Sequence, residues 1–343
     1  MGERTRWVEA MTRAERRSWS PETIARPIVA GLVILVALLG LIGTAIKNPQ
    51  PHDIQVGLVG PPRALEQISA GFSSNAPGAF RFTNYGSEDA ARKAIDARSV
   101  DGALILVGGP RLIVASAAGD AVTGVIKSAF TNTFAAQQRT LTIETVHPFS
   151  SGDPHGLILF FVILAVLIST LASQALLGLS PGLPFRLRLA AVVAYAILAA
   201  LAGMGMATWI AGDYGSGFWV ATGLVAMAAA AVGAVVAGSA RLLSVPGVGL
   251  AALIVILLDL VSSGGPLGSN LLPDFYRWLA PGMPVGQLYS AIRGALFFDN
   301  AGLGFPVAVL CAWLAAGLLL MALGELVRTR LNRQASRLAA AGA

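Results

Sequence analysis

Six continuous apolar runs constrain the fold of this chain more than any other feature. They cover Pro27–Ile46, Gly156–Leu179, Leu189–Ala211, Phe218–Ala240, Val245–Val261 and Leu303–Leu323. Each holds about 17 to 24 residues, and a helix of that length crosses about 30 Å of hydrocarbon. Only 12% of the 343 residues are charged, about half the share found in soluble domains. The sequence therefore excludes an ordinary soluble enzyme and predicts an all-α membrane protein with six transmembrane helices.

The first apolar run, residues 27–46, could by position be a secretory signal peptide. Its apolar stretch is longer than the core of a signal peptide, about 7 to 15 residues. About 26 residues precede the run, and no small-x-small cleavage site clearly follows it. We therefore interpret it as an uncleaved membrane anchor.

The distribution of arginine predicts the orientation of these helices. The basic residues of one side are Arg4, Arg6, Arg13, Arg16, Arg17, Arg26, Arg186, Arg188, Arg241, Arg328, Arg330, Arg333 and Arg337. They lie in the N-terminal segment 1–26, two short loops and the C-terminal tail 327–343. Cytoplasmic segments carry such an excess, so we expect both termini in the cytoplasm and the protein in the cell membrane. The net charge of +6 is then largely a topology signal, and no nucleic-acid partner is expected.

The N-terminal segment, residues 1–26, is predicted to be an amphipathic helix on the membrane surface. Its apolar arc contains Trp7, Val8, Ala10, Met11 and Ala14, and its basic arc contains Arg6, Arg13, Arg16 and Arg17. Such a helix lies on anionic membrane lipid. It is either a simple topology anchor or a lever that links a cytoplasmic partner to the membrane helices.

Residues 47–154 are predicted to form an extracytoplasmic α/β domain between the first two membrane helices. The predicted elements are strand 53–59, helix 63–70, strand 80–83, helix 87–98, strands 102–106 and 111–115, helix 120–138 and strand 140–146. The first strand alternates apolar and polar residues, as half-buried strands do. The second helix opens with Ser87 as N-cap and acidic residues in its first turn. The remaining residues, 155–326, form the five-helix transmembrane domain.

The sequence offers no catalytic, cofactor or metal site. It has one cysteine, Cys311, and three scattered histidines, too few for a metal cluster or a disulfide framework. It lacks the phosphate-binding pattern G-x-x-x-x-G-K-[ST]. Gly247-Val-Gly249 opens an apolar helix instead of following a strand, so it fails the context of a dinucleotide site. We therefore expect a protein that is not an enzyme.

Two features of the membrane segments are candidates for function. Asp259 is an acid within the fifth apolar run, where a carboxylate costs a few kcal/mol unless it is paired, protonated or hydrated. It is either functional or simply close to the outer interface. Small residues are frequent in the third and fourth runs, as in Gly203-Met-Gly205 and Ala226–Gly233, which predicts a close packing seam or a dimer seam.

Residues 264–300 are predicted to form an outer re-entrant segment of two short helices broken by prolines, although an aromatic belt would give the same composition. The residues of interest are Leu272, Pro273, Phe275, Leu279, Pro281, Pro284, Gly286 and Ala291–Arg293. This run resembles the segment before the last helix in ABC-2 type permeases. One helix, a large outward domain and five further helices are similar to the YhgE/Pip-like branch of that family, as are Gly152–Gly156 and Ser99–Ile105.

The resemblance implies an export permease subunit that moves a lipid-like or amphipathic substrate outward. Its partners would be a separate cytoplasmic ABC ATPase and a second permease subunit, in a homodimer or heterodimer. In such permeases the cytoplasmic turn after the second helix docks the ATPase. Here that turn is residues 179–188, so the resemblance implies docking by Phe185, Arg186 and Arg188. The alternative is a non-transporting envelope protein, either a secretion accessory or a surface receptor, whose outward domain binds a partner.

Overall fold

The computed structural model describes residues 21–180 and 183–341, and it divides after Lys47 into two units. The first unit contains helix α1, Pro21–Ile46. The predicted amphipathic segment falls largely on residues 1–20, which lie outside the described residues. Within α1 the apolar stretch Gly31–Ile46 is shorter than the length required of a membrane span. A first transmembrane helix over 27–46 therefore stays a prediction.

The second unit, residues 48–343, begins with a small α/β fold whose element order agrees with the sequence prediction. Its elements are β1 Ile54–Val59, α2 Pro62–Asn75, β2 Phe80–Asn84, α3 Glu88–Asp96, β3 Gly102–Ile105, β4 Arg111–Ala115, α4 Asp120–Ala136 and β5 Thr142–Val146. The hydroxyl of Ser87 accepts the amide N–H of Ala90 at 3.2 Å, which confirms the predicted N-cap of α3. This cap sets the start of α3, and the turn at residues 108–110 separates β3 from β4.

The five strands form one sheet in the order β2-β1-β3-β4-β5. Strand β1 pairs in parallel with β2 and β3, β4 is antiparallel to β3, and β5 is parallel to β4. The prediction of a half-buried first strand is wrong, because Ile54, Val56, Leu58 and Val59 are all buried. A strand with neighbours on both edges and helices on both faces excludes solvent from both sets of side chains.

The sheet has a core on each face. On one face α2 and α4 bury a cluster that includes Leu65, Ile126 and Phe130 against the strands. On the other face α3 contributes Ala91 and Ile95. This second core also contains Phe298, which comes from the far end of the chain. The sheet therefore shares part of its hydrophobic core with the segment around Phe298.

The rest of the chain is helical, and five of its described segments are long and apolar enough to cross a membrane. The helices are α5 Leu157–Leu179, α6 Phe185–Ala211, α7 Phe218–Leu243, α8 Val245–Ala252, α9 Asp274–Leu279, α10 Pro284–Phe297 and α11 Gly304–Ala341. Helix α8 continues through a π-helical stretch, Leu253–Asp259, to Ser262. Helix α11 runs 38 residues and includes most of the predicted basic tail, because no residue after position 323 breaks it.

Helix α7 lies at the centre of the helical bundle. In the most apolar 18-residue stretch of its candidate membrane span 72% of the residues are buried, against 22% in those of α6 and α11. The small residues of α7 allow this, since Ala228, Ala229 and Gly233 face neighbouring helices of the same chain. The predicted small-residue seam in this helix is therefore an intrachain packing surface.

Candidate functional site

The two ends of the bundle carry different features. At one end Arg241 pairs with Glu325 at 3.4 Å, and Arg328 donates to the carbonyl of Arg241 at 3.1 Å. At the opposite end the sheet packs against the segment between α8 and α11. Of the arginines predicted to share one side of the membrane, Arg241 and Arg328 therefore lie together at one end of the bundle, which we call the basic end.

Arg188 lies at the basic end, but it is buried, with 2% of its surface exposed. Its guanidinium donates to the carbonyls of Leu177 at 2.7 Å and Gly178 at 3.0 Å, at the C-terminus of α5. It also donates to Leu183 at 3.2 Å. Arg188 is therefore buried and bonded to backbone acceptors of its own chain, and docking of a partner by this residue stays a prediction.

Phe185 and Arg186 are also placed differently from the prediction. The sequence put both in a loop, whereas α6 begins at Phe185, directly after Pro184. Phe185 is half-buried and packs on a cluster that contains Val192 and Met321. Arg186 is exposed, so of the three predicted docking residues it is the one with an accessible guanidinium.

Asp259 lies in the π-helical stretch after α8 and has no exposed surface. Its two carboxylate oxygens each accept the backbone N–H of Val285 at 3.0 Å. Val285 is in the first turn of α10, where backbone N–H groups have no partner within the helix. Asp259 therefore caps α10 from a neighbouring segment, and this contact brings it close to Pro284, another predicted site residue.

We expect Asp259→Ala to lower the free energy of unfolding by about 1–3 kcal/mol, because a buried backbone N–H loses its acceptor. Asp259→Asn keeps one carbonyl oxygen at that position and should cost less. Thermal unfolding of the detergent-solubilised protein measures both changes. If Asp259→Asn instead abolished a cellular activity with no change in stability, the carboxylate would have a role beyond capping.

The predicted segment 264–300 contains two short helices separated by prolines, as expected from its sequence. Pro273 immediately precedes α9, Pro281 lies in the short 3₁₀ turn after α9, and Pro284 is the first residue of α10. Proline suits each place because it needs no amide hydrogen and fixes φ near the helical value. Trp278 on α9 is 78% exposed, as expected of an aromatic side chain at a membrane interface.

Arg293, the fourth predicted residue of this segment, joins α10 to the sheet. It donates to the carbonyls of Ala118 and, at 3.5 Å, Ala117, in the loop between β4 and α4. Its guanidinium lies 4.6 Å from the ring centre of Tyr289. The hydroxyl of Tyr289 in turn donates to the carbonyl of Gly156, directly before α5, at 3.0 Å.

Arg98, which the sequence analysis did not identify, makes a second connection. It follows α3 and donates to the carbonyl and hydroxyl oxygens of Ser290, each at 3.0 Å. Its guanidinium lies 5.3 Å from the ring centre of Phe298. The backbone of Arg98 has a φ of +58°, which is unusual for residues other than glycine, asparagine and aspartate. No signal in the sequence indicated this conformation.

His147 makes a third connection between the sheet and α10. One ring nitrogen lies 2.7 Å from the carbonyl oxygen of Phe297, at the end of α10, and the other lies 2.8 Å from a carboxylate oxygen of Asp96. The ring also stacks on Phe298 with 4.5 Å between centres. We call the contacts of Arg98, His147 and Arg293 with their partners the junction.

A cavity of about 230 Å³ lies within the junction, lined mainly by polar side chains. Arg98, Asp101 and Arg293 contribute its charged groups, and Gln287 and Ser290 contribute neutral donors and acceptors. Burial, together with the nearby charge of Arg293, lowers the pKa of Arg98 to about 10. Burial also raises the pKa of the Asp101 carboxyl. The cavity thus holds two guanidinium groups and one carboxyl that is less acidic than usual.

The fold is that of a mostly helical, multi-pass membrane protein with a small α/β unit at one end of its helices. Residues 113–319, more than half of the chain, match a family described as "Protein of unknown function (DUF3533)". The chain belongs to this family. The match begins within β4 and ends within α11, so it includes β5, the segment 264–300, four of the five long apolar segments in full and about half of the fifth. No curated protein and no solved structure matches the chain.

Proposed function

We propose that this chain is the permease subunit of an ABC-2 type exporter, driven by a separate cytoplasmic ATPase and paired with a second permease subunit. The junction is the observation that carries the proposal. A domain that only hangs from a membrane anchor needs no hydrogen bonds to the helices, whereas here Arg98, His147 and Arg293 bind the sheet to α10. Movement of the helices would therefore be transmitted to the outward domain through these contacts.

The proposed orientation places the basic end in the cytoplasm of a cell membrane, with both termini on that side and the sheet outside. The clustering of Arg186, Arg241 and Arg328 at one end supports it, because cytoplasmic ends of membrane helices are enriched in such residues. The exposed Trp278 near the other end supports an outer interface there.

A lipid-like or amphipathic substrate fits the surface of the bundle. An apolar groove of about 420 Å³ lies between α7, α8 and α11, with Leu250, Ile254 and Trp313 among its lining residues. A hydrocarbon chain would lie in such a groove without the desolvation of a polar group. The groove supports the substrate class without defining the headgroup.

The proposed docking surface for the ATPase is the start of α6, with Arg186 as its accessible charge and Phe185 beside it. The test is co-purification of the chain with an ATPase encoded near it, followed by ATP hydrolysis with and without the permease. We expect Arg186→Glu to reduce the stimulation of hydrolysis by about tenfold, because reversing a charge at an interface costs on the order of 1.4 kcal/mol or more.

The control for this experiment is Arg139→Glu, which reverses an exposed arginine in the α/β unit and should leave the stimulation unchanged. Melting temperatures of both variants show whether the fold is intact. If no ATPase binds the chain, or if Arg186→Glu stimulates hydrolysis like the unaltered protein, the proposed docking is wrong.

A second candidate is a non-transporting envelope protein whose outward domain binds a partner. A groove of about 500 Å³ between α2 and α4 favours it, with Ile68, Phe72 and Phe134 in its lining. Substituting the exposed residue Gln67 of this groove by arginine separates the candidates. The envelope function predicts a phenotype for Gln67→Arg and none for Arg186→Glu, and the permease function predicts the reverse.

A further inference from the structure

The cavity in the junction contains positive charge that no carboxylate of the described residues neutralises directly. No carboxylate oxygen among those residues lies within ion-pair distance of the guanidinium of Arg98 or Arg293. Asp101 lines the same cavity, and one of its carboxylate oxygens accepts the backbone N–H of Gln55 at 3.2 Å. Asp101 attracts both guanidinium groups from beyond ion-pair distance, but one carboxyl cannot balance two partly buried cations, and an unbalanced buried charge is costly. The arrangement therefore favours an additional anion.

The arginines also retain unused donors. The Nε of Arg293 is shielded from solvent and has no hydrogen-bond partner in the described part of the chain. Arg293 donates from its Nη1. Arg98 donates from Nη1 to the carbonyls of Ser290 and, at 3.4 Å, Ala301, and from Nη2 to the hydroxyl of Ser290. A guanidinium offers five N–H groups in a planar fork, so each arginine keeps donors for a ligand.

The remaining lining suits a tetrahedral oxyanion. Ser269, Asn270, Gln287 and Ser290 line the cavity with polar side chains. The volume of about 230 Å³ is several times the space of about 30 Å³ that one water molecule occupies in the liquid. Arginine forks match the oxygens of phosphate in two parallel hydrogen bonds.

We propose that the junction cavity binds a phosphate group, held between Arg98 and Arg293, with Gln287 and Ser290 as neutral partners. The group belongs either to a phospholipid headgroup or to a free phosphate compound. Bound there, it would neutralise the two arginines and bridge the sheet to α10. This site is distinct from the proposed ATPase docking surface at the basic end, and its existence does not depend on the export function.

The experiment uses the full chain in a non-ionic detergent without phosphate. In one arm inorganic phosphate is titrated by isothermal calorimetry. In the other, native mass spectrometry compares retention of phosphatidylglycerol with retention of diacylglycerol, which lacks the phosphate. Saturable binding of inorganic phosphate identifies a free phosphate source, and selective retention of phosphatidylglycerol identifies a lipid headgroup.

Two variants test the proposed residues. Arg293→Gln should weaken binding by about tenfold or more, as expected when a charge-assisted hydrogen bond is lost. Asp101→Asn removes the carboxyl and keeps an acceptor for Gln55, so at alkaline pH, where the carboxyl is ionised, it should strengthen binding several-fold. Arg139→Gln, at an exposed position outside the cavity, is the matched control and should bind like the unaltered protein.

The proposal is overturned if neither arm shows saturable binding, or if Arg293→Gln and Arg139→Gln have the same affinity. If Arg293→Gln fails to fold, the phosphate affinity of Asp101→Asn is the test of the site, because a structural defect does not increase affinity. An unchanged or weaker affinity of Asp101→Asn would then overturn the site.

Discussion

Arg188→Met is expected to lower the free energy of unfolding by about 2–4 kcal/mol and to reduce the yield of monodisperse protein sharply. The guanidinium of Arg188 donates hydrogen bonds to the carbonyls of Leu177, Gly178 and Leu183. The first two carbonyls are at the C-terminal end of α5, where they have no partner within the helix. A buried acceptor that loses its donor costs about 1–3 kcal/mol, and methionine fills the volume without supplying any donor. Thermal unfolding in detergent and size-exclusion chromatography measure the effect.

Arg186→Met is the matched control, because the same substitution two residues earlier removes an exposed side chain. It should change the stability by about 0.5 kcal/mol at most. Arg188→Lys retains a charge and three donors and should fall between the two. Equal stability of Arg186→Met and Arg188→Met would contradict the capping role.

This difference between two neighbouring arginines also separates folding from partner binding. If Arg188→Met alone abolished stimulation of an ATPase, loss of the α5 terminus would explain it. Loss of stimulation in a stably folded Arg186 variant would instead report a surface contact. The resemblance to ABC-2 permeases grouped the two residues, and their burial divides them.

The α/β unit was predictable from its sequence because its signals are local. Strand periodicity, the Ser87 cap and the turn at residues 108–110 each act within a few residues. The burial of β1 was not predictable in the same way, since it depends on which strands become its neighbours. The start of α6 was predicted four residues late, although Pro184 marks it, because arginines at 186 and 188 made the segment read as a loop.

Most contacts of the junction could not be predicted from the sequence. Arg98 bonds to Ser290, which lies 192 residues further along the chain, and no local pattern relates two such positions. His147 reaches Phe297 in the same manner. Arg293 was identified only through a resemblance, without its partners. Asp259 was identified because a carboxylate within an apolar membrane segment costs free energy. Its hydrogen bond from the backbone N–H of Val285 became visible only in the structure.

The close contact of α7 with α11 leads to the second large expected effect. A Cβ atom added at Gly238 would lie 2.6 Å from the backbone nitrogen of Met321 and 2.7 Å from the Cβ of Leu320. Gly238→Ala therefore forces the two helices apart. We expect it to lower the free energy of unfolding by about 2–3 kcal/mol, as overpacking of a rigid core does.

Gly223→Ala is the control on the same helix, since a Cβ there meets no atom within 4 Å and the position is exposed. Alanine should stabilise the helix there by up to about 1 kcal/mol, so the two substitutions are expected to have opposite signs. Denaturant titration in detergent measures both. If Gly223→Ala were the destabilising one, the exposed side of α7 would pack against a second subunit, and this helix would serve dimerisation in addition to its intrachain contact with α11.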